Sequence, residues 1–211
     1  MTPALALERL MLHPAYDRFV EYARTVMPVG LVDQADAAAT EAHAILADAA
    51  VRLADGKGKG MSAGDLPGWL RLGLLDTLSA FAAGRATTCR HNPDATRPRP
   101  VLAAAWRPGM VVCPGCAHLL SLKHDPVADA VCDSCGRQCA GVEHDDGIYP
   151  GMVQLGPLIY QYGTCGDCRP TIASGNPLSG PLPAEQGTPR GTGRVQPRTR
   201  RGRSRGKGGQ R

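Results

Sequence analysis

Aromatic residues are scarce: two phenylalanines, two tryptophans and five tyrosines make up 4% of 211 residues. Aromatics bury the largest areas per side chain, and much of the apolar content is alanine, so a large self-sufficient core is not expected. Bound metal can make up such a deficit. No run of eighteen apolar residues occurs, so no membrane-spanning helix is expected. The opening Met1-Thr-Pro-Ala-Leu5 lacks a basic segment followed by an apolar stretch, so a signal peptide is not expected. A cytoplasmic chain with reduced thiols follows from that reading. Also missing are H-E-x-x-H and H-x-E with P-C-x-x-C, the signatures of zinc hydrolases and deaminases. No catalytic constellation stands out, and a non-enzyme is expected. Acids are missing from Gly187 to Arg211, where eight arginines and one lysine stand alone. That stretch carries +9 against a chain total of +5, which leaves the first 186 residues at −4.

Eight cysteines are present, and seven of them fall into short-spaced pairs. These are Cys89-x-His91, Cys113-x-x-Cys116, Cys132-x-x-Cys135 and Cys165-x-x-Cys168. Together they offer eight ligands, enough for two tetrahedral zinc ions with a structural role. A C-x2-C step turns two thiolates onto one ion, and its backbone N–H groups point back at the sulfurs. Pro114-Gly115 and Gly166-Asp167 inside the pairs suit that turn, and Gly136 suits the left-handed position that follows a knuckle. Three partitions are open. A nested one joins Cys113, Cys116, Cys132 and Cys135, leaving Cys89, His91, Cys165 and Cys168; it is preferred because its inner loop has the familiar length. A sequential one joins neighbouring pairs, and a cross-brace alternates them. Loop-closure entropy separates these by only about 1 kcal/mol.

The segment from about Val111 to Gly141, with Cys113-Pro-Gly-Cys116 and Cys132-Asp-Ser-Cys135-Gly136, resembles the zinc-ribbon superfamily, found in transcription factors, polymerase subunits and other proteins that handle DNA or RNA. Ala117 stands where that family commonly has glycine. The resemblance implies a fold and a metal rather than one activity. Cys139 is left over. With His144 it would extend the Cys132 pair only in an unusual ligand order, so a buried or free thiol is expected. His118 and His124 read as surface residues, and His13 and His43 as helix residues without ligand partners. Cys113-Pro-Gly-Cys116 also has the form of a thioredoxin motif, but no βαβ pattern surrounds it.

Residues from about Pro3 to Gly84 read as helical. Tyr16, Phe19, Val20, Ala23, Val26 and Met27 recur at helical spacing and end at Pro28 and Gly30. Asp33 reads as the cap of a second helix striped by Ala38, Ala42, Ile45, Leu46, Ala49 and Leu53. Gly56 to Gly64 reads as a linker. Asp65 and Pro67 open a third helix that turns Leu66, Trp69, Leu70, Leu74, Leu78 and Phe81 inward, and Gly84 closes it. These three stripes are expected to share a bundle core. Farther on, Val153–Leu155 and Leu158–Tyr162 flank Gly156-Pro157 as a β-hairpin, with Tyr160 and Tyr162 on one face, packed on the hairpin or open to stacking a base.

The expected fold class is therefore α+β. A three-helix unit occupies residues 1–86, a cysteine-rich zinc-binding β module 87–170, and a disordered basic tail 171–211. In the tail, Arg198, Arg200, Arg201, Arg203, Arg205 and Lys207 alternate with glycine and small residues, a pattern that suits phosphate contacts along DNA or RNA. The leading functional reading is a non-enzymatic, nucleic-acid-associated or regulatory zinc protein. A protein-docking adaptor is the second reading; a zinc hydrolase or a thiol redox protein would each need features the chain lacks.

Overall fold

The computed structural model describes residues 2–54, 61–123 and 125–170. The basic tail, the first part of the linker at residues 56–60 and His124 lie outside the described residues. Helices and strands are mixed, as expected, but the helices do not form a unit of their own.

Four long helices precede the strands: α1 (Pro3–Met11), α2 (Tyr16–Val26), α3 (Val29–Ala54) and α4 (Gly68–Ala82). Thr2 caps α1 by accepting from the Leu5 amide at 3.4 Å, with Pro3 opening the helix. Pro28 forces Met27 into an extended conformation and ends α2. The helix restarts at once, one turn earlier than Asp33, so Gly30 and Asp33 lie inside α3. The α4 stripe is as expected: Leu70 and Leu74 are fully buried, with Leu66, Trp69, Leu78 and Phe81 packed around them. Gly84 ends α4 at φ +65°, and the amides of Gly84 and Arg85 bond back to the carbonyls of Phe81 and Ala80.

The strands are β1 (Thr87–Thr88), β2 (Val101–Ala104), β3 (Met110–Val111), β4 (Ile148–Leu155) and β5 (Leu158–Cys165). A three-stranded sheet runs β2-β5-β4, with β2 parallel and β4 antiparallel to the central β5. The hairpin falls where the sequence puts it: Leu155 pairs with Leu158 across Gly156-Pro157. Gly156 takes φ +55°, and proline in second place requires a negative φ there, the pattern of a type II′ turn.

Period-two alternation assigns the sheet's faces. Val101, Ala103, Leu158, Tyr160 and Tyr162 pack with Leu70, Leu74 and Leu75 of α4 and Ala4 of α1. Leu102, Ala104 and Ile159 pack with Ala42, Ile45 and Leu46 of α3. The sheet therefore lies between α1 and α4 on one side and α3 on the other, and the core runs across residue 86. Arg71 of α4 binds Glu8 of α1 at 2.7 Å, with both side chains largely shielded.

This packing corrects one expectation and closes one alternative. No residue of α2 is buried; Phe19 is 50% and Val26 63% exposed. Its apolar stripe is not core, and α2 is tied to α3 by Arg24 and Asp36 instead. Tyr160 and Tyr162 are buried against α4, so they do not offer a stacking face. Tyr162 meets Trp69 edge-on at 5.9 Å. Gly73 of α4 leaves room for the Tyr160 hydroxyl, which would lie 2.8 Å from a Cβ there.

Candidate metal centres

The eight expected ligands gather into two groups, Cys89 with His91, Cys113 and Cys116, and Cys132 with Cys135, Cys165 and Cys168. Within each group the ligand atoms all lie within 4.8 Å of one another. The pairs thus combine in sequence order, and the preferred nested partition does not occur. The stretch from Val111 to Gly141, whose four cysteines the zinc-ribbon resemblance would place on one ion, instead contributes one knuckle to each group.

Strand pairing explains the first group. β1 and β3 run parallel, with Thr88 opposite Val111, so Cys89 and the Cys113 knuckle emerge side by side. Val112 is pinned in turn to Leu102 of β2 by reciprocal backbone bonds of 2.8 and 2.9 Å. The Cys113 amide donates to the Cys89 sulfur at 3.5 Å, and the Cys116 amide closes the knuckle onto the Cys113 carbonyl at 2.9 Å. Below the group lie Ala42, Leu102, Ala104, Val112, Leu120 and Ile159.

The second group hangs on the end of β5. The Gly163 amide donates to the Asp133 carboxylate at 2.5 Å, and the Asp133 amide returns a bond to the Gly163 carbonyl at 2.8 Å. That reciprocal link holds the Cys132 knuckle against the strand that delivers Cys165. The Cys165 amide donates to the Cys132 sulfur at 3.3 Å. Gly136 takes the left-handed φ of +73° expected after the knuckle. An antiparallel bridge between Val131 and Gln138 closes its base.

The distances in the first group fit one tetrahedral ion. Bonds of about 2.3 Å to sulfur and 2.0–2.1 Å to nitrogen place neighbouring sulfurs about 3.8 Å apart and nitrogen about 3.6 Å from sulfur. Cys89 and Cys113 sulfurs stand 3.8 Å apart. His91 Nδ1 stands 3.3, 3.2 and 4.0 Å from the sulfurs of Cys113, Cys116 and Cys89.

The electrostatics describe what such an ion relieves. Burial opposes ionisation of Cys89, but amides of Cys113 and His91 outweigh it and bring the thiol down to about 6. Burial and the neighbouring sulfurs push Cys116 up to about 11. In the second group burial likewise opposes Cys165, yet the Cys168 amide and the Arg137 guanidinium lower it to about 7. Cys168 is pushed up to about 12 by burial together with the sulfurs of Cys165 and Cys135. Clustered thiolates repel one another, and a divalent cation removes that penalty.

Cys139 is buried beside Cys132 and Cys165 in the small apolar cluster with Ile148, and burial holds its thiol up at about 11. Neither it nor exposed His144 joins a ligand group among the described residues. His13, His43 and His118 are exposed and outside both groups as well.

One contributor escaped the sequence reading. Arg137 grips Asp146 with two bonds of 3.0 and 2.7 Å, reaches Asp167 at 3.5 Å and lies close enough to the Cys165 sulfur to favour its thiolate. It sits between the Cys132 and Cys165 knuckles and carries no spacing signal of its own. No family model, curated protein or solved structure matches the chain. Among the described residues no helix is long and apolar enough to cross a membrane.

Proposed function

We propose that the chain is a non-enzymatic protein whose two structural zinc ions shape a surface for nucleic acid, with the basic tail adding phosphate contacts. One observation carries this reading: each group supplies four converging protein ligands, the full complement of a closed site. A catalytic zinc keeps a position for water and is usually held by three protein ligands. Convergence of all four ligand atoms within 4.8 Å suits a single ion. An imidazole beside three thiolates suits zinc, a borderline-soft ion.

Arg198, Arg200, Arg201, Arg203, Arg205 and Lys207 support the nucleic-acid part, since guanidinium groups fork onto phosphates and glycine lets the chain follow a backbone. The test compares the intact chain with one lacking Thr188–Arg211, each loaded with two zinc ions. The intact chain should bind DNA or RNA with affinity that falls steeply with salt, and the deletion should weaken it strongly. Absence of binding by the intact chain at low salt would favour a protein-docking adaptor instead.

A further inference from the structure

The part of the chain that bears the metal ligands is electrically divided. Residues 85–123 carry Arg85, Arg90, Arg97, Arg99, Arg107 and Lys123 against one acid, Asp94, a net +5. Residues 125–170 carry Arg137 and Arg169 against seven acids, a net −5. The first segment holds the Cys89 group and the second the Cys132 group.

All six cations are exposed. No ion pair joins any of them to a carboxylate among the described residues. Arg24, Arg52, Arg71 and Arg137 elsewhere are each so paired. The one acid of the segment is turned onto its own loop, where Asp94 accepts from the Thr96 amide at 2.9 Å and hydroxyl at 2.7 Å, with Arg97 a weaker electrostatic neighbour.

Several of these charges sit on neighbouring loops of the segment that carries the first centre. The Thr87 amide donates to the Gly109 carbonyl at 2.7 Å, which brings the ends bearing Arg85 and Arg107 together. The Arg107 guanidinium reaches the Ser121 carbonyl at 3.4 Å, and the Lys123 amide donates to the Ser121 hydroxyl at 3.3 Å. Arg90 stands between the ligands Cys89 and His91. Arg97 and Arg99 lie on the loop that leads from the centre to β2.

From this placement we infer that the folded surface around the first metal centre binds the phosphate backbone of a nucleic acid without needing the tail. The inference rests on the nucleic-acid reading and assigns the contact to the body of the protein. Five of the six cations are arginines, whose rigid forks match phosphate oxygens. They are displayed on a folded frame, so less chain entropy is lost on binding than with a tail of the same charge. The ligand set agrees: zinc with three thiolates and an imidazole carries −1, whereas four thiolates leave −2, so the first centre repels phosphate less.

The test measures anisotropy of a labelled 20-base-pair DNA duplex from 50 to 200 mM salt, using the full zinc-loaded chain. One variant is Arg97→Glu with Arg99→Glu, a second Arg85→Glu with Arg107→Glu. A third replaces all nine tail cations from Arg190 to Arg211 with glutamine. Each body pair should weaken binding about tenfold and lower the slope of log affinity against log salt by about 2, while both metals are retained. The same losses should appear on top of the tail variant. Either body pair decides the matter if the other loses metal. Wild-type binding by the body pairs, with loss only in the tail variant, would overturn the inference and leave the nucleic-acid reading standing. No binding by the unaltered chain at 50 mM salt would overturn both.

Discussion

The first centre draws three sulfurs and an imidazole from the turns that follow β1 and β3, which Val112 links to the central sheet; the second draws four sulfurs from the last residue of β5 and the turns around it. Beneath the first lie Ala42, Leu102, Val112, Leu120 and Ile159, an apolar floor shared with α3. Beneath the second, among the described residues, the buried cluster is Cys132, Cys139, Ile148 and Cys165, half of them proposed ligands, with Cys168 packed against it. The charges differ as sharply. Beside the second centre Arg137 pairs with the flanking acids, while the cations of residues 85–123 form no ion pair with a carboxylate among the described residues. The same C-x2-C turn thus serves two ends. In one place it fastens a basic loop to a core that exists already. In the other the metal must itself act as most of the core.

The sharpest way to break this contrast is to strip the metal. Structural zinc sites in small domains are worth about 10–16 kcal/mol of folding free energy. Chelation under reducing conditions should therefore cost residues 130–146 all amide protection in hydrogen exchange. Residues 152–162 in β4 and β5, held between α3 and α4, should keep most of theirs. Equal loss in both segments would show that the sheet depends on metal as much as the loop does.

A smaller effect separates the two centres by their surroundings. Arg137→Gln removes the cation beside the Cys165 sulfur and the grip on Asp146. Partners of this kind typically alter metal affinity 10–100-fold, so competition with a chromophoric chelator should show one site weakened by that factor and the other unchanged. Weakening of both would mean that Arg137 acts through overall stability.

The smallest effect is on acid stability. Arg137 and the Ala140 amide hold the Asp146 carboxyl below its usual range. A carboxyl depressed in the folded state contributes stability above its unfolded pKa, about 3.9, and that contribution is lost as pH falls through the lower folded value. Asp146→Asn should therefore flatten the acid limb of the stability curve below about pH 4, read by denaturant titration at pH 3 and pH 6. An unchanged limb would remove Asp146 from the account.

Much of the candidate site was legible because its signals are local. Two cysteines three apart declare a knuckle, Gly136 its left-handed exit, and Gly156-Pro157 the hairpin that delivers Cys165. The partition was not legible, because it is decided by β1 and β3, two residues each and too short to show any period. The helices show the same limit. The α4 stripe names its buried residues correctly, whereas no residue of the equally regular stripe of α2 is buried. Periodicity says which side of a helix is apolar and not what lies opposite it. Tyr160 and Tyr162 alternate as strand residues should, and only the approach of α4 over Gly73 shows that their face is closed.

The pairing of ligands is tested most directly by metal content in two double variants of the reduced chain. Cys89→Ser with Cys113→Ser removes ligands from one centre only and should leave one zinc per chain. Cys113→Ser with Cys132→Ser touches both centres and should leave none. One zinc in the second variant and none in the first would mean a nested arrangement and contradict the strand pairing that builds both centres.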